Sequence, residues 1–141
     1  MPGKNTKDFL GQPLLAWAIG VAKQSGVCDR IIVSTDDEAI AAVAKKYGAE
    51  VPFLRPAEYA TDTSPVIEAI KYTLDRLKDE DGYQSEWFIV LEPSSPGRQA
   101  QHLREVAEII KQERGNFDSI VGVSKITPQS NATQGPPNFS R

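Results

Sequence analysis

The chain has 141 residues, of which 40% are hydrophobic and 25% are charged, a composition typical of one soluble globular domain. The 16 Lys and Arg residues against 19 Asp and Glu residues give a formal net charge of -3. No basic run stands out, so the sequence lacks the positive surface that nucleic acids and anionic membranes require.

The one cysteine, Cys28, cannot form an internal disulfide, and we interpret it as a half-buried residue rather than a nucleophile. No apolar run reaches the roughly 20 residues that span a bilayer. The polar N-terminus lacks the apolar segment of a signal peptide. We therefore expect a cytoplasmic protein.

The first half of the chain alternates between predicted helices and strands. Residues 1–12 are expected to form a loop, and Pro13 to open a helix that ends at Gly26. A buried strand follows, then a polar turn, an alanine-rich helix and a second strand. These four elements are expected at residues 31–33, 34–37, 39–47 and 50–54.

The second half continues the alternation. A loop over 55–64 leads into a helix with Pro65 in its first turn, which ends between residues 79 and 82. Further elements are a strand, a loop, an amphipathic helix and a last strand, expected at residues 87–91, 92–98, 103–110 and 118–123. We place one domain at residues 1–124 and expect 125–141 to be disordered or loosely attached. The pattern predicts an α/β fold with a mainly parallel sheet.

Ligands of open α/β sheets bind beyond the carboxyl ends of the strands, where the loops 34–37, 55–64 and 92–98 are expected to meet. The loop 55–64 holds a cation, a carboxylate and hydroxyls just before a helix N-terminus, which attracts anions. Its candidate ligand-binding residues are Arg55, Asp62, Thr63 and Ser64. The alternative is that the last three cap the helix, Thr63 or Ser64 at the N-cap itself.

Two further segments hold candidate residues. In the loop 92–98, two prolines stiffen the backbone and so fix the hydroxyls of Ser94 and Ser95; the alternative is an ordinary strand-to-helix turn. Lys4 follows a glycine turn and could act as a point charge for phosphate, or simply be solvated. His102 is expected to be solvated or to cap a helix, and no cluster has metal-ligand spacing.

Five segments in this order resemble the family of acylneuraminate cytidylyltransferases, which activate sialic acids and related 2-keto sugar acids. The segments are PGKN at 2–5, RIIVSTD at 30–36, KYGAEV at 46–51, RPAE with TDTS at 55–64, and LEPSSPGR at 91–98. The resemblance covers residues 2 to about 124.

The resemblance implies a Rossmann-like, three-layer nucleotide-diphospho-sugar transferase fold. It also implies a reaction in which the anomeric hydroxyl of the sugar attacks the α-phosphate of CTP and pyrophosphate leaves, with Mg²⁺ neutralising charge, in a homodimer. Lys4 would touch the CTP phosphates as the catalytic residue, and Asn5 would fix the nucleotide loop. The cytidine pocket would hold Arg55, Asp62, Thr63 and Ser64, and the sugar side Glu92, Ser94 and Ser95.

The chain departs from the family pattern at several places. The family has a strand and a basic, glycine-rich loop ahead of the segment at 2–5, so we expect an incomplete fold without its central strand. Glu92 stands where the family has Gln, and a carboxylate accepts hydrogen bonds without donating any. Gly97 replaces Leu. The family's Mg²⁺-binding carboxylates and dimerisation arm lie in a C-terminal half that this sequence does not contain.

Three hypotheses follow. The first is an active cytidylyltransferase. The second is a truncated relative that makes no CMP-sugar by itself and serves at most as a nucleotide- or protein-binding module. The third is an unrelated flavodoxin-like binding domain.

Overall fold

The computed structural model describes residues 3–60, 65–113 and 115–122. It contains four α-helices, which confirm the four helices predicted from the sequence: α1 (Leu14–Ser25), α2 (Glu38–Lys46), α3 (Val66–Asp81) and α4 (Ala100–Gln112). None of the helices in these ranges is both long and apolar enough to cross a membrane.

The ends of α1, α2 and α3 follow the predicted signals to within one or two residues, and α4 begins three residues before its predicted start. Gly26 ends α1 and Gly82 ends α3, both in the left-handed region with φ of 68° and 66°. Pro13 and Pro65 differ slightly from prediction, because each stands at an N-cap with extended ψ rather than in the first turn. The predicted caps Thr63 and Ser64 lie outside the described residues.

The N-terminal segment corrects the prediction of a loop over 1–12. Two short antiparallel strands, β1 (Asp8–Phe9) and β2 (Gln12–Pro13), form a hairpin with Asp8 opposite Pro13. Leu10 and Gly11 make its turn with φ of 55° and 90°. Two positive φ values suit a tight hairpin, but a leucine at the first of them is uncommon, so residues 10–11 carry no sequence signal of a hairpin turn.

The predicted strands at 31–33 and 50–54 meet in a single parallel bridge between Ile32 and Glu50. Glu50 N–H donates to the carbonyl of Ile31 at 2.8 Å, and Val33 N–H donates to the carbonyl of Glu50 at 2.9 Å. The two segments are therefore adjacent and parallel, although their pairing is too short to form a regular ladder.

The predicted strands at 87–91 and 118–123 are absent from the described residues, and so is the mainly parallel sheet. Phe88, Ile89 and Val90 are 49%, 37% and 48% exposed, and Trp87 packs on Phe117 with ring centroids 5.7 Å apart. A strand needs a hydrogen-bonding neighbour, and these segments have none among the described residues. The observed architecture is a mixed one of four helices and a small antiparallel sheet.

The hydrophobic core lies between α1, α2 and the bridged segments. Its buried members are Leu15, Ile19, Ala41, Ala44, Ala49 and Val51. The alanines let the helices approach the bridge closely, and Ile31 and Val33 pack against the same cluster. This packing places residues 34–37 at the edge of the core.

Arg30 ties the bridge to the end of α3. Its guanidinium bonds both carboxylate oxygens of Glu50 at 2.6 to 3.1 Å and Asp81 at 3.1 Å, and it lies 4.9 Å from the centroid of the Tyr83 ring. The hydrogen bonds to Glu50 raise the pKa of Arg30 above its usual range. A bidentate arginine shared by two carboxylates fixes the position of α3 relative to the core.

Candidate functional site

The polar turn at 34–37 is held rigidly at the edge of the core. Thr35 is buried, and its hydroxyl accepts a hydrogen bond from Asp37 N–H at 3.1 Å. Asp37 is the N-cap of α2, and its carboxylate accepts from Ala39 N–H at 2.7 Å. On the other side, Thr73 of α3 donates to the Ser34 hydroxyl at 3.0 Å. The turn is therefore fixed to two helices.

Arg55 lies directly beside this turn. Its backbone N–H donates to the carbonyl of Thr35 at 2.8 Å. Its guanidinium Nη2 is 3.9 Å from the Asp36 carboxylate, and the side chain is 22% exposed. Arg55 Nε is buried and has no hydrogen-bond partner among the described residues. An unpaired buried donor is costly. Since Nε itself is buried, an acceptor from a ligand could reach only the part of the side chain that stays exposed.

An aromatic cluster anchors the segment that begins at Arg55. Tyr59 stacks on Tyr72 of α3 with centroids 4.8 Å apart, and Phe53 meets the same ring edge-on at 5.8 Å. Arg76 lies 4.9 Å from the centroid of the Phe53 ring and donates to the Tyr72 hydroxyl at 2.9 Å. The residues on both sides of Arg55 are thus tied to α3 or to the turn at 34–37.

Besides Arg55, the predicted nucleotide-binding residues are two that the structure describes and three that it does not. Lys4 and Asn5 lie in a 3₁₀ turn (Lys4–Thr6) that contacts α1 and α2; Lys4 is exposed and Asn5 is half-buried. Asp62, Thr63 and Ser64 lie outside the described residues. The prediction that Arg55 and Asp62 share a pocket therefore stays a prediction.

The loop 92–98 consists of two consecutive turns. Ser95 N–H donates to the carbonyl of Glu92 at 3.2 Å, and Arg98 N–H donates to the carbonyl of Ser95 at 3.4 Å. Ser94 and Ser95 are exposed, and the Ser94 hydroxyl is 3.5 Å from the Glu92 carboxylate. Within the described ranges, no hydrogen bond or ion pair joins this loop to Arg55. Of the three loops expected to meet, a backbone hydrogen bond joins the turn at 34–37 to Arg55, and the meeting of 92–98 with them stays a prediction.

Sequence comparison settles the family. The profile of the cytidylyltransferases matches residues 1–131 of the chain. The chain belongs to the cytidylyltransferase family. This confirms the family predicted from the five sequence segments.

The relatives of this cytidylyltransferase chain act on acidic sugars, judging by their names. It is 42% identical over 127 residues to CMP-N,N'-diacetyllegionaminic acid synthase of Legionella pneumophila and 37% identical over 122 residues to N-acylneuraminate cytidylyltransferase of Escherichia coli. It is also 48% identical over 81 residues to pseudaminic acid cytidylyltransferase of Campylobacter jejuni. These alignments cover 90%, 86% and 57% of the chain but 53%, 27% and 35% of the relatives. The chain thus spans about half, or less, of the length of the curated relatives it matches.

The Mg²⁺ that the cytidylyltransferase reaction implies finds no fitting site here. In the portions 3–60, 65–113 and 115–122, no three His, Cys, Asp or Glu side chains converge to hold a metal ion. Several carboxylates of the candidate loops are separately engaged: Asp36 lies beside Arg55, Asp37 caps α2 and Glu92 is hydrogen-bonded by Ser94.

Asp36 is a residue of this edge to which the sequence pattern assigns no role, and the structure sets it beside Arg55. A signal for it existed: parallel neighbouring strands end at the same edge, so an acid after the first strand and an arginine after the second are expected to meet.

Cys28 and His102 have the structural roles that were predicted. Burial is the main cause that raises the pKa of the Cys28 thiol, and the residue is half-buried. His102 Nδ1 accepts a hydrogen bond from Gln99 N–H at 3.2 Å and so caps α4.

Proposed function

We propose that this chain carries the nucleotide side of an enzyme that joins CTP to an acidic 2-keto sugar, forming a CMP-sugar and pyrophosphate. The observation that supports it is the family match over residues 1–131, together with relatives named for three different acidic sugars. We further propose the Rossmann-like fold of the family for the whole protein. Its partners would be CTP and the sugar, and its compartment the cytoplasm.

In the proposed reaction the anomeric hydroxyl oxygen of the sugar forms a bond to the α-phosphorus of CTP. The bond from that phosphorus to the pyrophosphate oxygen breaks, pyrophosphate takes the electron pair, and the hydroxyl proton is released. The protein contributes position and electrostatics rather than covalent chemistry. Lys4, on an exposed turn, offers a point charge to the phosphates. Arg55 offers a planar, permanently charged donor to the nucleotide.

Asn5, Asp62, Thr63 and Ser64 complete the proposed nucleotide side, and Glu92, Ser94 and Ser95 the sugar side. At neutral pH Glu92 would repel the carboxylate of an acidic sugar unless a donor stands between them. Its exposed neighbours Ser94 and Ser95 are hydroxyl donors of that kind.

The test is CTP binding to the 141-residue chain by isothermal titration calorimetry, with GTP as the control nucleotide. We expect CTP to bind and GTP to bind at least about tenfold more weakly, because a base pocket discriminates by hydrogen bonds that the wrong base leaves unpaired. Arg55→Gln should weaken CTP binding. Equal affinity for CTP and GTP, or none for either, would contradict the proposal.

Catalysis is measured separately, as pyrophosphate release with CTP, Mg²⁺ and each of the three acidic sugars named in the relatives. We expect no pyrophosphate release from this chain alone. Release above a control without protein would show that the chain is itself a catalyst and reject that expectation.

A further inference from the structure

We propose that Asp36 is a positioning residue that orients the guanidinium of Arg55 for the nucleotide. This inference rests on the proposed function and assigns to it a residue outside the predicted set. Its basis is the juxtaposition of the two side chains, with Arg55 Nη2 3.9 Å from Asp36 Oδ1.

Both partners of the pair stand on rigid supports. The hydrogen bond from Arg55 N–H to the carbonyl of Thr35, at 2.8 Å, fixes the two backbones next to each other. Thr35 is 5% exposed, and its hydroxyl holds the next turn residue, Asp37. The backbones of both residues are therefore held next to each other, which is one condition for a preorganised site.

The distance between the Asp36 carboxylate and the Arg55 guanidinium determines whether the pair occupies a donor of Arg55. At 3.9 Å the carboxylate attracts the guanidinium but lies beyond hydrogen-bond reach, so this pair does not use up an N–H donor of Arg55. Asp36 thus restricts where the guanidinium lies without occupying its N–H donors, and part of the Arg55 side chain stays exposed.

The sign of the effect separates this role from a plain charge effect. CTP is a polyanion, so a carboxylate that acted only through its charge would repel it, and Asp36→Asn would tighten binding. A carboxylate that acts through Arg55 gives the opposite result, since the neutral amide loosens the guanidinium and weakens binding.

The experiment is a double-mutant cycle on the full chain, with CTP affinity measured by calorimetry for wild type, D36N, R55Q and D36N/R55Q. We expect R55Q to weaken binding about tenfold or more and D36N about three- to tenfold, with no further loss in the double variant. E108Q is the matched control, because it removes one carboxylate from the exposed pair with Lys111 on α4; we expect its affinity to stay within about twofold of wild type.

The measured affinities distinguish a failure of the positioning role from a failure of the proposed function. Tighter binding by D36N, unchanged binding by D36N, or an equal loss in the presence and absence of Arg55 overturns the positioning role but leaves the proposed function standing. Failure of the wild-type chain to bind CTP overturns the proposed function itself. A thermal melt of D36N unchanged from wild type shows that a loss of affinity is not a loss of folding. Asp36→Ser is the second variant if D36N proves unstable, and the same loss is expected from it.

Discussion

Gly48, just after α2, has a φ of +86° that L side chains rarely adopt. A Cβ at this position would lie 2.5 Å from Lys23 Nζ, which donates to the carbonyl of Tyr47 at 3.3 Å. Gly48→Ala should therefore lower the free energy of unfolding by about 1 to 2 kcal/mol, mainly through backbone strain, because the lysine tip can move aside. A urea unfolding curve measures this.

Gly20 provides the matched control, since it lies inside α1 with open space where a Cβ would point. Alanine there should raise the free energy of unfolding by about 0.5 to 1 kcal/mol, because glycine in a helix interior is entropically unfavourable. Changes of the same sign in the two alanine variants would refute the strain assigned to Gly48.

At the scale of elements, Arg104 of α4 joins two helices by capping the end of α1. Its Nη2 donates to the carbonyl of Gln24 at 2.7 Å, and its Nε donates to the carbonyl of Ser25 at 3.2 Å. The last carbonyls of a helix lack partners within it, and a cation there also complements the helix dipole. Arg104→Gln should destabilise the protein by about 1 kcal/mol.

Lys111→Gln on the same helix removes the same charge from an exposed pair and should change stability by less than about 0.5 kcal/mol. Equal losses in the two variants, measured by thermal unfolding, would contradict the capping role.

The helices were predictable because their signals are local. Apolar spacing of 3.6 residues and a glycine at the end located α1 and α3 almost to the residue. Strands depend on a partner that may be distant in sequence. The apolar run at 87–91 has strand composition but no described neighbour to pair with, and the hairpin at 8–13 was missed because its turn begins with Leu10.

In the candidate site, the approach of the turn at 34–37 to Arg55 was predictable from strand direction. The parallel bridge at Ile32 brings the turn at 34–37 next to Arg55, as expected for two strands that end at one edge. The contact between Asp36 and Arg55 could not be foreseen in detail, because it depends on side-chain rotamers and on the register of a single bridge. The loop 92–98 was expected at the same edge on the assumption of a strand at 87–91, which is absent.

At the scale of the whole molecule, two regions differ in whether their backbone amides donate hydrogen bonds. The core around α1 and α2 holds the bridged segments, whose amides at Val33 and Glu50 donate hydrogen bonds of 2.9 and 2.8 Å. The segment 88–90 combines side chains that are 37% to 49% exposed with amides that donate no backbone hydrogen bond within the described structure. Apolar side chains and amides without backbone hydrogen bonds in one segment are features of an open strand edge.

Hydrogen exchange of the full chain tests this difference. We expect the amides of residues 88–90 to exchange within the first seconds at neutral pH, and those of Val33 and Glu50 at least about 100-fold more slowly, because exchange of a hydrogen-bonded core amide requires local opening. Repeating the measurement over a tenfold range of protein concentration serves as the control. Protection of 88–90 that grows with concentration would mean that a second copy pairs with this edge, and protection independent of concentration would mean that the segment pairs within the chain. Either result would contradict an unpaired segment, and the second would restore the strand that the sequence predicts at 87–91.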